Sequence, residues 1–206
     1  MLDFAAKTVN NNLILNDFLL ILASGSRYRA ELLGRLCLPF EAWSPDIDEA
    51  PLAGEDCAAT ARRLARAKAE AASARFPGCW AIGSDQVADL DGRPIGKPGD
   101  AATARRQLRE MSGRSVVFHT AVCLLANGRA REATVPTEVT FRALSEAEIE
   151  RYVAREPAFD CAGSAKSEGL GIALLDRLRG DDPTALVGLP LVALSAMLRA
   201  EGAGLP

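Results

Sequence analysis

Histidine is nearly absent from this chain: 206 residues contain only His119, and aromatic residues make up 5%. A Ser-His-Asp triad could use only that histidine, and no G-x-S-x-G elbow accompanies it. The cysteines Cys37, Cys57, Cys79, Cys123 and Cys161 form no C-x-x-C pair. Their odd number and wide scatter suit reduced thiols in a cytoplasm rather than a disulfide framework, and they offer no zinc-finger site. None has a histidine beside it in sequence to activate it. A basic excess is missing too, since 24 Lys and Arg stand against 27 Asp and Glu for a formal net charge of −3. That balance disfavours a nucleic-acid surface. No apolar run reaches membrane-spanning length, and the N-terminus lacks the apolar core of a signal peptide. Walker A and paired G-x-G-x-x-G patterns are absent as well.

What is present is ordinary for a globular protein: 49% hydrophobic and 25% charged residues. Residues 1–18, with Asp3 and Asn10-Asn11-Asn12, read as an N-terminal extension, and 19–206 as a single domain. Short apolar runs predict strands over Leu19–Ala23, Phe40–Trp43 and Trp80–Asp85, and β-rich stretches over Ser115–Leu125 and Ala133–Phe141. Helical spacing predicts helices over Arg27–Leu36, Asp56–Arg75, Ala101–Met111, Ser145–Arg155 and Pro190–Met197. Ser145 and Glu148 form a capping box, and Asp91-Gly92 a tight hairpin turn. The pattern is that of an α/β protein, a twisted mixed sheet with flanking helices and two lobes around a cleft.

Candidate chemistry gathers where strands end. The run Trp80–Ile82 gives way to Gly83-Ser84-Asp85, which reads as a buried strand delivering Asp85 at its C-terminal tip. Gly96-Lys97-Pro98 then presents Lys97, although a plain hairpin with a surface lysine fits the same residues. Ser24-Gly25-Ser26 follows the first strand, with Ser24 or Ser26 as N-cap and Arg29 in the first helical turn. Such a turn aims backbone N–H groups and a positive helix end at one point, suiting a phosphate; an ordinary capped βα unit is the alternative. Asp46, Asp48 and Glu49 lie between Pro45 and Pro51, either as a solvated turn or as carboxylates for magnesium. Lys68 lies on the inward stripe of its helix, where spacing alone favours snorkelling to the surface.

Four stretches in order resemble the Maf-like nucleotide pyrophosphatases: Leu22-Ala23-Ser24-Gly25-Ser26-Arg27-Tyr28-Arg29, Ile82-Gly83-Ser84-Asp85-Gln86-Val87, Gly96-Lys97-Pro98 and Val187-Gly188-Leu189-Pro190. The similarity covers about residues 19–202. Tyr28, Gln86 and the segment Cys161–Gly169, which holds Glu168, resemble the 7-methyl-GTP branch rather than the dTTP/UTP branch. Arg27 departs from the family, which usually has proline there.

The resemblance implies hydrolysis of a nucleoside triphosphate between its α and β phosphates, assisted by a divalent cation, Mg2+ or Mn2+. It places the proton acceptor at Asp85 and the family's other polar positions at Ser24, Ser26, Arg29, Glu49, Lys68 and Lys97. On that pattern Glu49 joins Asp85 in holding the cation. Arg29, Lys68, Lys97 and the two serines hold phosphates, and Tyr28, Gln86 and Glu168 read the base. A homodimer is plausible from the resemblance alone. A dTTP/UTP or broader house-cleaning pyrophosphatase is the nearest alternative, and a non-enzymatic regulator of septum formation is the rival of another class.

Overall fold

The computed structural model describes residues 18–206. Of the extension expected over 1–18, residues 1–17 lie outside that range, and Phe18 stacks on Trp80 with ring centroids 3.6 Å apart. Strand β1 (Leu20–Leu22) is buried throughout, as its uninterrupted apolar run requires. Helix α1 (Arg27–Gly34) follows, N-capped by Ser26 and buried through Leu32 and Leu33. After β2 (Glu41–Ala42) comes α2 (Cys57–Arg75), half of whose buried residues are alanine. Then β3 (Trp80–Leu90) turns through Asp91-Gly92 into β4 (Arg93–Ile95). Helix α3 (Ala101–Met111) leads to the long hairpin of β5 (Ser115–Ala126) and β6 (Arg129–Phe141). Helix α4 (Glu146–Arg155) opens on the Ser145–Glu148 capping box. Short 3-10 turns at Ala162–Ser164 and Leu170–Leu174 precede β7 (Leu175–Gly180) and α5 (Leu191–Glu201).

The seven strands form one mixed sheet in the order β2-β1-β3-β5-β6-β7, with β4 paired to β3. Strands β2, β1 and β3 are mutually parallel and the remaining pairs antiparallel. This is the mixed α/β architecture that the alternation of strands and helices predicts. Apolar cores lie on both sides of the sheet: one face carries a cluster on Leu22, Leu33, Ile82 and Leu194 and, farther along, another on Leu108, Phe118, Phe141 and Ile149, and the opposite face carries a third on Ile21, Ala65, Ala81 and Cys123.

Two expectations need correction. Asp85 is not at a strand tip: β3 continues to Leu90. Its parallel pairing with β1 stops at Leu22–Ile82, but antiparallel pairing with β5 runs on to Asp89–Val117. The apolar run ends where the parallel neighbour ends, and beyond it the strand alternates polar residues of the cleft with the core residues Ala88 and Leu90. The second correction concerns Leu175–Gly180, where the sequence reads as the end of an apolar run, Ile172–Leu175, followed by a turn over Arg179–Pro183. The segment is instead a strand at the sheet's edge, with five of its six residues exposed, so it carries no alternation to read.

The two faces of β3 explain the layout of the site. Gly83 and Asp85 point toward α2, while Ser84 and Gln86 point the other way, toward residues 182–190. A Cβ on Gly83 would lie 2.0 Å from the Ala65 carbonyl oxygen and 2.6 Å from the Ala69 nitrogen. Glycine there lets the α2 backbone rest directly on the strand, bringing Lys68 down to Asp85.

Candidate active site

A cleft of about 470 Å³ opens at the end of β1. Its wall includes Ser24, Ser26, Tyr28, Arg29, Glu49, Lys68, Gln86, Lys97 and Glu168, nine of the ten residues singled out from sequence. The tenth, Asp85, sits behind Lys68 and is 8% exposed.

Lys68 is the pivot. It is 7% exposed, and its Nζ lies 2.7 Å from Asp85 Oδ1 and 2.6 Å from Glu49 Oε1. The snorkelling favoured by helical spacing does not occur. The ammonium group ends among acids, and a buried charge needs such partners to offset its lost hydration. Burial by itself would raise the Glu49 pKa, but the Lys68 hydrogen bond and charge, with Lys97 and Arg29, hold it below the ordinary value. Glu49 is therefore ionised at neutral pH.

Arg29 is fixed from two sides: Nε donates to the Gly188 carbonyl at 2.8 Å and Nη1 to Ser24 Oγ at 3.3 Å. Burial pushes its pKa down and the charges of Asp85 and Glu49 push it back up, so all three groups share one field. A guanidinium remains charged regardless. Ser24 Oγ also accepts from the Ser26 amide, and Ser26 Oγ accepts the Arg29 amide as N-cap. Both hydroxyls act as acceptors in these contacts, and their protons are available to an incoming anion.

The base-reading candidates occupy the far wall. Gln86 Nε2 lies 2.9 Å from Thr120 Oγ1 and 3.0 Å from the carbonyls of Ala185 and Leu186. Its amide donors are committed to these acceptors, which leaves Oε1 as an acceptor. Tyr28 donates to Asp160 Oδ2 at 3.1 Å and accepts from Arg27 Nη2 at 2.8 Å. Arg27 and Lys166 lie 4.8 and 5.6 Å from its ring centroid. Two cations therefore already border the ring expected to stack on a charged base, and Asp160 supplies the nearby negative charge. Glu168 is exposed on the loop between the 3-10 turns. Phe118, Val139, Phe141, Leu175 and Leu186 give the cleft an apolar floor.

Sequence reasoning missed Asp160 and the Gly188 carbonyl. Asp160 stands directly before the Cys161–Gly169 segment and could have been read as part of it. A backbone carbonyl leaves no mark in sequence.

Among the described residues no cluster of three or more His, Cys, Asp or Glu could cage a metal by itself. Glu49 on the cleft wall and Asp85 behind Lys68, both drawn to that ammonium, are two neighbouring hard oxygen donors. That set fits a magnesium-like cation that takes one or two carboxylates and completes its shell with phosphate oxygens and water.

Comparison with known proteins assigns the family. The family described as Maf-like protein matches residues 19–201. A 7-methyl-GTP pyrophosphatase of Xanthomonas oryzae pv. oryzae (strain MAFF 311018) is 59% identical over 187 residues, 91% of this chain and 98% of the relative. One from Cupriavidus metallidurans is 59% identical over 185 residues, 89% of this chain and 93% of its own. One from Bordetella avium is 57% identical over 183 residues, with the same two shares.

Proposed function

The chain belongs to the Maf-like protein family, and from that premise we propose that it is a nucleoside triphosphate pyrophosphatase that hydrolyses 7-methyl-GTP to 7-methyl-GMP and diphosphate. The observation that carries this reading is the Glu49–Lys68–Asp85 group at the base of a cleft that also holds Arg29 and Lys97. Acids for a water and a cation stand beside bases for a polyphosphate, and such an arrangement has little use in a protein that only docks a partner.

Hydrolysis of a phosphoanhydride is mostly a problem of positioning and charge. Arg29, Lys68 and Lys97 spread positive charge over the triphosphate, and the Ser24 and Ser26 hydroxyls donate to its oxygens. Lys68 holds Asp85 by Oδ1, and Oδ2 has no donor among the described residues. Asp85 takes a proton from the attacking water as the water oxygen bonds to the α-phosphorus. The bond from that phosphorus to the bridging oxygen breaks, and diphosphate leaves. A divalent cation, Mg2+ or Mn2+, held by Glu49 and Asp85 would supply charge neutralisation and a more acidic water. At the base, the carboxylate of Glu168 and the free Oε1 of Gln86 are acceptors for the N–H donors of guanine, and Asp160 beside Tyr28 offsets the positive charge that N7-methylation adds.

The test is diphosphate release in Mg2+ from 7-methyl-GTP, GTP, dTTP and UTP. The highest kcat/KM is expected for 7-methyl-GTP. A preference for dTTP or UTP would overturn the base assignment, and silence on all four would overturn the enzymatic reading.

A further inference from the structure

One buried acid has no part in the chemistry above. Asp182 is 3% exposed, and its carboxylate is used completely. Oδ1 accepts from the Thr184 amide at 2.9 Å and lies 2.7 Å from the Thr184 hydroxyl; Oδ2 accepts from the Val192 amide at 2.7 Å. Thr184 Oγ1 in turn accepts from the Leu191 amide at 2.8 Å. These two amides open α5. Pro190 stands at its N-cap and offers no side-chain acceptor, so the first turn would otherwise leave these amide donors without a protein partner. Thr184 and Asp182 supply the cap from seven and ten residues upstream of the amides they bind.

The segment so pinned carries no substrate group of its own, but its carbonyls hold those that do. Ala185 and Leu186 accept from Gln86, Ala185 also accepts from Thr120, and Gly188 accepts from both Arg29 and the fully buried Ser84. Gly188 itself adopts φ +123°, a conformation that side chains rarely tolerate, and this turns its carbonyl toward Arg29. The phosphate-gripping arginine and the base-facing glutamine are thus hung from one short stretch of backbone, and Asp182 fixes that stretch at its N-terminal end.

We propose that Asp182 is a positioning residue for this site: by tying the first turn of α5 to Thr184, it sets the carbonyls that orient Arg29 and Gln86. The inference rests on the pyrophosphatase reading, in which those two residues face substrate. Asp182→Asn keeps the shape but must set an NH2 group against a backbone N–H in either orientation. An increase in KM for 7-methyl-GTP of about tenfold is expected from a disturbed hydrogen-bond frame, together with a smaller ratio of 7-methyl-GTP to GTP turnover. Combination with Arg29→Lys should be non-additive, because both changes act through the same guanidinium. A role in stability alone would lower Tm, leave KM and the substrate ratio unchanged, and combine additively.

Ser84→Ala approaches the same carbonyl from the strand and decides the matter if Asp182→Asn does not fold. It too should raise KM and couple to Arg29→Lys. Additive effects in an active enzyme would overturn this inference and leave the pyrophosphatase reading standing. A wild-type protein silent on every nucleotide would overturn both.

Discussion

Among single residues, Lys68 joins the two acids of the site. Its ammonium lies within 2.7 Å of two carboxylates, one of them almost wholly buried. Removing one partner of a buried pair leaves the other charge without compensation, which commonly costs about 3–5 kcal/mol. Lys68→Met should therefore lower the unfolding free energy by about 3 kcal/mol in urea titrations and abolish turnover. Asp85→Asn should behave differently. The amide oxygen can still accept from Lys68, so the fold survives, while loss of the proton acceptor lowers kcat by about 100-fold or more. Asp85→Asn turning over at the wild-type rate would remove Asp85 from the mechanism. Much at this scale was legible. Ser26 caps α1 as a serine before a helical run should, and Arg29 in the first turn could only point near the end of β1. The end point of the Lys68 side chain was not legible, because spacing gives the face of a helix and says nothing of what stands opposite.

Between elements, the decisive contact is α2 on β3. The Ala65 carbonyl oxygen would lie 2.0 Å from a Cβ on Gly83, and that oxygen belongs to helix backbone that cannot move aside cheaply. Gly83→Ala must push helix and strand apart, carrying Lys68 away from Asp85 two residues along. Overpacking of this kind costs roughly 3 kcal/mol. The variant should unfold at lower urea concentration. The protein that remains folded should show a lower kcat, although no substrate-touching residue has changed. Wild-type kcat in the folded fraction would show that the close approach does not set the site. The helices were readable because each carries its own start signal, such as Asp56 before α2, Asp100 before α3 and Ser145 before α4. The full length of β3 was not, because its second half is held by β5 rather than by its own apolar residues.

For the molecule as a whole, the carboxylates set a pH limit. Arg63, joined by the Leu52 amide and Thr60, outweighs the opposing effect of burial and brings the Glu55 pKa from 4.5 to about 2. The Ser145 amide and hydroxyl, with Arg142, do the same for Glu148. Glu49, Asp100, Glu146, Asp160 and Glu201 are lowered as well. A depressed folded-state pKa means that the unfolded chain binds the proton first as pH falls. These groups thus contribute stability in full above about pH 4.5 and lose it progressively toward about pH 2. The urea midpoint should be nearly flat from pH 7 to 5 and fall steeply below 4.5. In the double variant Glu55→Gln, Glu148→Gln that fall should be shallower, and an unchanged slope would contradict the assignment.

By itself, the sequence determined the mixed α/β class, the helix starts, and the serines and arginine that follow β1, because these depend on local periodicity and capping. It placed serines, an arginine and acids near a common point without measuring their separation. Only the tertiary structure decided that Lys68 turns inward to join Glu49 with Asp85, that β3 runs past its apolar stretch, and that Arg29 and Gln86 hang from the carbonyls of residues 185–188. Those outcomes depend on partners 17 to 159 residues away in the chain, and on backbone groups that every residue shares. No local pattern encodes them.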